Sequence, residues 1–193
     1  MCIPRRFWEV TFKRVSDGVH KDTLRKFLTN IDDCVRNGLG MVLWGDNDCG
    51  KTSMAALVLM IGRRHGFTGM FITANQYLTD VISKSVFDDA TTVAQRCKMV
   101  DILVIDDIGK DVHDKSKPTA TVERMFEDLI RKRHDDVKST IITTNIDPDM
   151  FNKRFGDSII HLINESSAAI NVIGPSQREI EKEKVERFFQ SRG

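Results

Sequence analysis

An α/β fold, with a parallel sheet covered by helices on both faces, is predicted by three observations. Short apolar segments alternate with amphipathic ones along the chain. One of the apolar segments, DILVI at 101–105, has the composition of a strand buried on both faces. The conspicuous polar residues follow apolar segments, and the carboxyl ends of the strands are where ligands bind in such sheets.

The 193 residues suit one domain. It divides into an entry segment (1–18), a core (19–174) and a charged C-terminal helix (175–193). Residues 3–18 are irregular and basic-aromatic, IPRRFWEVTFKRVSDG. Lys21–Arg36 is predicted as one helix, with Leu24, Leu28, Ile31 and Val35 on one face and Phe27 widening it. Gly38 and Gly40 break it, and Met41–Trp44 is a strand ending at Gly45. A helix follows from Gly50 to about Arg64, with Met54, Leu57, Val58 and Ile61 as its apolar stripe. Met70–Thr73 is a second strand and Ala74 to about Ile82 a helix, with a shorter helix at Thr91–Met99. Asp101–Ile105 is the third strand, Thr121–Arg133 an amphipathic helix, Thr140–Thr143 the fourth strand and Ala169–Ile173 the fifth. Gly174-Pro175 stops that strand, and Ser176 is placed to cap the charged final helix.

Lys plus Arg number 29 and Asp plus Glu 28, for a net charge of +1, so global charge does not draw the chain to nucleic acid. Any DNA contact must come from a local patch. Cys2, Cys34, Cys49 and Cys97 have no metal or disulfide spacing and read as reduced thiols of a cytoplasmic protein. The chain has neither a membrane-length apolar run nor a signal-peptide core at its start, so no membrane partner is expected.

The chemistry is concentrated in four places. GDNDCGKT, Gly45 to Thr52, satisfies G-x-x-x-x-G-K-[ST] between an apolar strand and an amphipathic helix. That context aims the amides of Asp46, Asn47, Asp48, Cys49, Gly50 and the first helical turn through Ser53 at the phosphates of a nucleoside triphosphate. Lys51 is expected to reach the β- and γ-phosphates, and the Thr52 hydroxyl to ligate magnesium. Many such loops carry a further glycine where this chain has Asp48, a carboxylate that repels phosphate if it points inward.

DILVIDDIG, 101–109, ends a buried strand on two carboxylates. Asp106 is assigned to the hydrated magnesium and Asp107 to the general base that polarises water. STIITTNID, 139–147, presents Asn145 to the γ-phosphate or the attacking water, with Thr143 and Thr144 next in line. MFNKRFGD, 150–157, offers Arg154 on a short helix as a guanidinium for a neighbouring subunit's site. Arg131, Lys132, Arg133 and His134 complement a helix C-terminus. Lys110, Lys115 and Lys117 read either as a solvated loop or as a DNA-facing patch. The tail 178–187 alternates in sign, as a solvated helix or partner surface does.

Taken in order, these segments resemble the AAA+ ATPases of the DnaC-type replicative helicase loaders, with IstB-type transposition helpers beside them. IPRRFWEVTF at 3–12 looks like their entry segment, and LVIDDIG at 103–109 like their magnesium-binding strand. The helix ending at Arg133 followed by STIITTN is similar to the approach to their sensor 1. INVIGPSQRE at 170–179 resembles their closing strand, with Gly174, Ser176 and Arg178. The resemblance implies an αβα sandwich with a five-stranded parallel sheet and no helical lid. It further implies ATP and Mg2+ as cofactors, and ATP hydrolysis as a switch. Expected partners are single-stranded DNA, a replicative helicase and further copies of the chain. Trp8 is expected near the adenine.

Two departures accompany the likeness. The chain starts at the ATPase core, so the helicase contact is expected to be made differently or through another protein. GDSIIHLI carries Ser158 and Leu162 where loaders tend to have arginines, which leaves Arg154, in an Arg-Phe-Gly context, as the finger. Three other readings are a non-hydrolysing adaptor in which ATP only orders a partner surface, an IstB-like transposition helper ATPase, and a nucleotide kinase. The paired aspartates and Asn145 favour hydrolysis over the kinase.

Overall fold

A computed structural model describes residues 3–83, 92–109, 119–176, 182, 186–187 and 189–190. Its centre is a five-stranded parallel sheet in the order β2-β3-β4-β1-β5. The strands are β1 (Gly40–Trp44), β2 (Gly69–Thr73), β3 (Ile102–Ile108), β4 (Ser139–Thr144) and β5 (Ser167–Asn171). Helices α1 (Val19–Thr29), α2 (Ile31–Arg36), α3 (Lys51–Arg64), α4 (Ala74–Ser83), α5 (Val93–Met99), α6 (Thr119–Asp135) and α7 (Pro148–Ser166) supply the crossovers and cover the sheet. The αβα sandwich with five parallel strands is the architecture anticipated above.

Strand alternation divides the core. Met41, Leu43, Ile102 and Val104 pack with α1, α2, α3 and the entry segment. Val42, Leu103, Ile105 and Ile142 face the other way, into a cluster with Tyr77, Phe126, Phe151 and Phe155 from α4, α6 and α7. Residues 102–105 are all fully buried, as a strand covered on both faces requires.

Three local features differ from expectation. The helix predicted over Lys21–Arg36 is two helices, because Asn30 leaves helical geometry at φ −111°, ψ 31° and its side-chain amide donates to the Lys26 carbonyl at 2.8 Å. A short polar side chain competing for backbone acceptors ends a helix that the apolar stripe alone would continue. The fifth strand runs from Ser167 rather than Ala169, and α7 reaches back to it directly. The short helix anticipated around Arg154 is the first segment of a 19-residue element broken at Gly156, whose φ of 69° and ψ of 165° are not helical. Lys110, Lys115, Lys117, Arg178 and most of the charged final helix lie outside the described residues.

Arg133 joins the amino-terminal ends of β3 and β4 to α5 and α6. It is fully buried and donates to the carbonyls of Cys97 (2.6 Å), Val100 (2.9 Å) and Ser139 (2.6 Å) and to Thr140 Oγ1 (2.9 Å). Burial lowers its pKa to about 10, which leaves it charged at neutral pH. The sequence reading had this arginine complement a helix C-terminus, and it does lie in the last turn of α6. Its five-donor fork satisfies carbonyls of several elements at the end of the sheet remote from the strand carboxyl ends.

Candidate functional site

The loop 45–50 leaves the carboxyl end of β1 and enters α3 through Gly50, which adopts φ +102°. Gly45 has φ +142°, and a Cβ there would meet the Val172 carbonyl oxygen at 2.5 Å, so the turn lies too close to the chain beyond β5 for any side chain. Lys51 opens α3 and is only 6% exposed. Its ammonium donates to the carbonyls of Gly45 (2.9 Å) and Asp46 (2.6 Å) and lies 3.7 Å from Cys49 Sγ. These partners are all uncharged. A buried cation beside the amino terminus of a helix, with no carboxylate in contact among the described residues, fits an anionic ligand such as a phosphate chain.

Asp106, near the end of β3, accepts hydrogen bonds from Thr52 Oγ1 at 2.8 Å and from Thr143 Oγ1 at 2.7 Å. Burial pushes its carboxyl pKa up, the two hydroxyls oppose that shift, and neighbouring Asp107 adds to it. The Arg6 charge acts on the same carboxyl and lowers it. Thr52 and Asp106 thus present a hydroxyl and a carboxylate side by side, the hard-oxygen donors that magnesium takes.

The β3–β4 register shifts between Ile105, opposite Ile142, and Ile108, opposite Thr144. This irregularity contains both aspartates. Asp107 adopts φ +61°, and its amide donates to Thr143 Oγ1 at 2.9 Å. A bulge of this kind re-aims side chains, here at the carboxyl ends of two interior strands.

A cavity at this end of the sheet is lined by Asn47–Met54, Asp106 and Asp107, and by Arg6, Phe7, Val10, Arg14, Val15 and Ser16 of the entry segment. Asp48 lines it with φ +64°. Asn145 borders the loop, its amide nitrogen 3.4 Å from Asn47 Oδ1. Gly45 and Asp46 shape the loop through their carbonyls rather than through the cavity wall.

Two expected site residues lie elsewhere. Trp8 is not in the wall. Its indole donates to the Ile3 carbonyl at 2.9 Å, its ring lies 5.5 Å from the Arg5 guanidinium, and it is 55% exposed. Phe7, one residue earlier, is the buried aromatic that reaches the cavity. Arg154 lines a separate cavity with Glu123, Arg124, Glu127, Lys153, Phe155 and Gly156. Its guanidinium carbon is 5.7 Å from the Phe155 ring centre, and its buried Nε has no hydrogen-bond partner among the described residues.

Residues 10–182 match the family of IstB-like ATP-binding proteins, a span that includes the phosphate loop, both aspartates and the closing strand. The chain belongs to this family. No curated protein sequence matches it. Among solved structures, the DnaC helicase loader is 22% identical, with a TM-score of 0.74 over 88% of this chain and 100% of that one. DnaI is 16% identical, with a TM-score of 0.73 over 91% and 94% of the two chains. A replication initiator DnaA bound to AMPPCP and single-stranded DNA is 14% identical, with a TM-score of 0.69 over 94% of this chain and 56% of that one. What these structures share with the chain is its fold, the five-stranded parallel sheet between helical layers.

Sequence reasoning found the loop and the aspartates of this IstB-like protein but gave Thr143 no bond partner and placed neither Arg6 nor Arg14 at the cavity. Thr143 entered only as a polar neighbour of Asn145, although a threonine at the carboxyl end of an apolar strand is a recognisable signal. Arg6 and Arg14 belonged to a segment read as irregular, and no spacing rule points to them.

Proposed function

We propose that this IstB-like protein binds ATP with magnesium and hydrolyses it, acting as a DNA replication protein of the helicase-loader kind. It assembles as a homo-oligomer on single-stranded DNA, on a replicative helicase, or on both. The observation that carries this reading is the bonded series Thr52–Asp106–Thr143, which fixes a hydroxyl and a carboxylate beside the buried Lys51 ammonium. The likeness to helicase loaders and to DnaA supports the replication setting.

In this reading the loop amides and Lys51 bind the phosphates, while Thr52 and Asp106 would hold magnesium. Bound magnesium neutralises charge on the phosphate oxygens. Asp107, whose backbone is pinned through Thr143, accepts a proton from the attacking water at its carboxylate. Asn145 orients that water or the γ-phosphate from beside Asn47. Arg154, which faces a different cavity, serves a neighbouring subunit's site. The cytoplasm is its place of action, and among the described residues no helix is long and apolar enough to cross a membrane.

The test is ATP turnover per chain as protein concentration rises, with and without single-stranded DNA. Turnover that climbs with both is expected. Turnover independent of both would overturn the loader reading. A second reading, the non-hydrolysing adaptor, is favoured by Asp48, an acidic residue of the cavity wall. It predicts tight ATP binding with turnover near zero, even on DNA.

A further inference from the structure

The entry segment and the first turns of α1 concentrate positive charge that the rest of the chain lacks. Residues 3–26 hold seven Lys and Arg against three Asp and Glu, a local net charge of +4 in a chain of +1. The remainder is therefore net acidic, at −3. Two of the three acids are matched by residues of α1, Asp17 by Lys21 at 2.8 Å and Asp22 by Arg25 at 3.0 Å. The excess lies with Arg5, Arg6, Lys13, Arg14 and Lys26, all of them exposed.

Aromatic rings are interleaved with these cations. The Arg5 guanidinium lies 5.5 Å from the Trp8 ring centre, and Lys21 and Arg25 lie 5.5 and 5.4 Å from that of Phe12. Phe12 thus ties the cations of α1 to the entry segment. Phe7 is buried and Phe12 packs partly against the core, but Trp8 is more than half exposed. Its indole N–H donates to the carbonyl of buried Ile3 at 2.9 Å, which holds the ring outward in one orientation. An exposed ring fixed in this way loses little freedom when a flat partner covers it.

We infer that the entry segment is a binding site for single-stranded nucleic acid, in which a base stacks on Trp8 while Arg5 and Lys13 take the flanking phosphates. The inference rests on the nucleic-acid part of the function proposed above and supplies a site for it.

The chemistry selects the partner. A local charge of +4 draws a polyanion although the whole chain is nearly neutral. An acidic peptide satisfies the cations but brings no base to the indole. A duplex brings phosphates, but its bases are already stacked on one another. A single strand brings both, and stacking of this kind is tolerant of sequence. Arg6, Phe7 and Arg14 of the same segment line the nucleotide cavity, whereas Arg5, Trp8 and Lys13 do not, so the two sites can be separated by substitution.

The test is titration of the full chain, with ATP and magnesium present, into a labelled oligothymidine read by fluorescence anisotropy. A thermal melt of each variant establishes that it folds. Trp8→Ala is expected to weaken binding about 10-fold with the salt dependence unchanged, as loss of one stacked base does. Trp8→Phe should recover part of that loss. Lys13→Gln should instead lower the slope of log affinity against log salt by about 0.7, the share of one phosphate contact on a single strand. Trp44 is the other tryptophan, so in a Trp44→Phe background the single strand should quench the Trp8 fluorescence and a duplex of equal length should not. If wild type binds the oligonucleotide and the folded Trp8→Ala and Lys13→Gln chains bind it equally well, the inference is overturned while the nucleic-acid reading stands. If wild type binds no oligonucleotide, that reading fails first and the inference with it. Quenching that follows protein concentration without DNA would assign Trp8 to a contact between copies of the chain, which also overturns the inference.

Discussion

The Thr143 hydroxyl lies 2.7 Å from Asp106 Oδ1, joining β4 to the carboxylate at the end of β3 across 37 residues of sequence. The same oxygen accepts the Asp107 amide at 2.9 Å. One fully buried threonine thus fixes both aspartates, the first through its side chain and the second through its backbone. Thr143→Val keeps the shape and removes both bonds. The half-buried Asp107 amide loses its Thr143 acceptor and Asp106 loses one of its hydroxyl donors, at a cost of about 1–3 kcal/mol. Urea denaturation should show this loss, and magnesium-dependent ATP affinity should fall in the folded variant. An unchanged midpoint and affinity would mean that Thr143 only fills space.

Lys51→Ala should weaken ATP binding by at least about 10-fold, the equivalent of about 1.4 kcal/mol for a charge-assisted contact to phosphate. Calorimetry reads this directly. An affinity within two-fold of wild type would show that the ammonium stays on the Gly45 and Asp46 carbonyls when nucleotide binds.

Arg133→Leu should be the most damaging single change among those considered. It strands the carbonyls of Cys97, Val100 and Ser139 in the interior, and a broken buried network of this kind costs about 3–5 kcal/mol. Arg133→Lys should recover little, because a single ammonium cannot reach acceptors spread over several elements. Denaturant midpoints of the two variants check both expectations.

Arg154→Ala should bind ATP as tightly as wild type but lose the concentration-dependent part of its turnover. Mixing it with a Lys51→Ala chain should restore some turnover, since one chain retains the finger and the other an intact nucleotide site. No recovery across mixing ratios would argue against a role between subunits.

Acid should reveal Asp101. Burial raises its carboxyl pKa, but hydrogen bonds from Lys138 (2.7 Å) and Thr68 outweigh burial and hold it at about 2, below the ordinary 3.8. The folded pKa is depressed, so this stabilisation is present above 3.8 and is lost as pH falls toward about 2. Asp101→Asn should flatten the stability–pH curve in that window. A curve parallel to wild type would show that the pair contributes nothing.

The sequence by itself determined the strand-loop-helix around Lys51, the buried strand ending on Asp106 and Asp107, and the β4 strand leading to Asn145. In each, hydrophobic pattern and motif act over a few neighbouring residues, and local rules suffice. The apolar segments gave five strands and a parallel sheet; their union in one αβα sandwich without a lid came from the family likeness carried by those same segments.

The order β2-β3-β4-β1-β5 belongs to the tertiary structure, because alternation assigns faces to a strand but not its neighbours. That order is what brings Thr143 beside Asp106. The break at Asn30 and the kink at Gly156 are backbone choices that side-chain periodicity does not register. Placement of the entry segment is non-local in the same way. It sends Trp8 outward and carries Arg6, Phe7 and Arg14 to the cavity, because packing of Phe7 and Val15 against the core decides which neighbours point in.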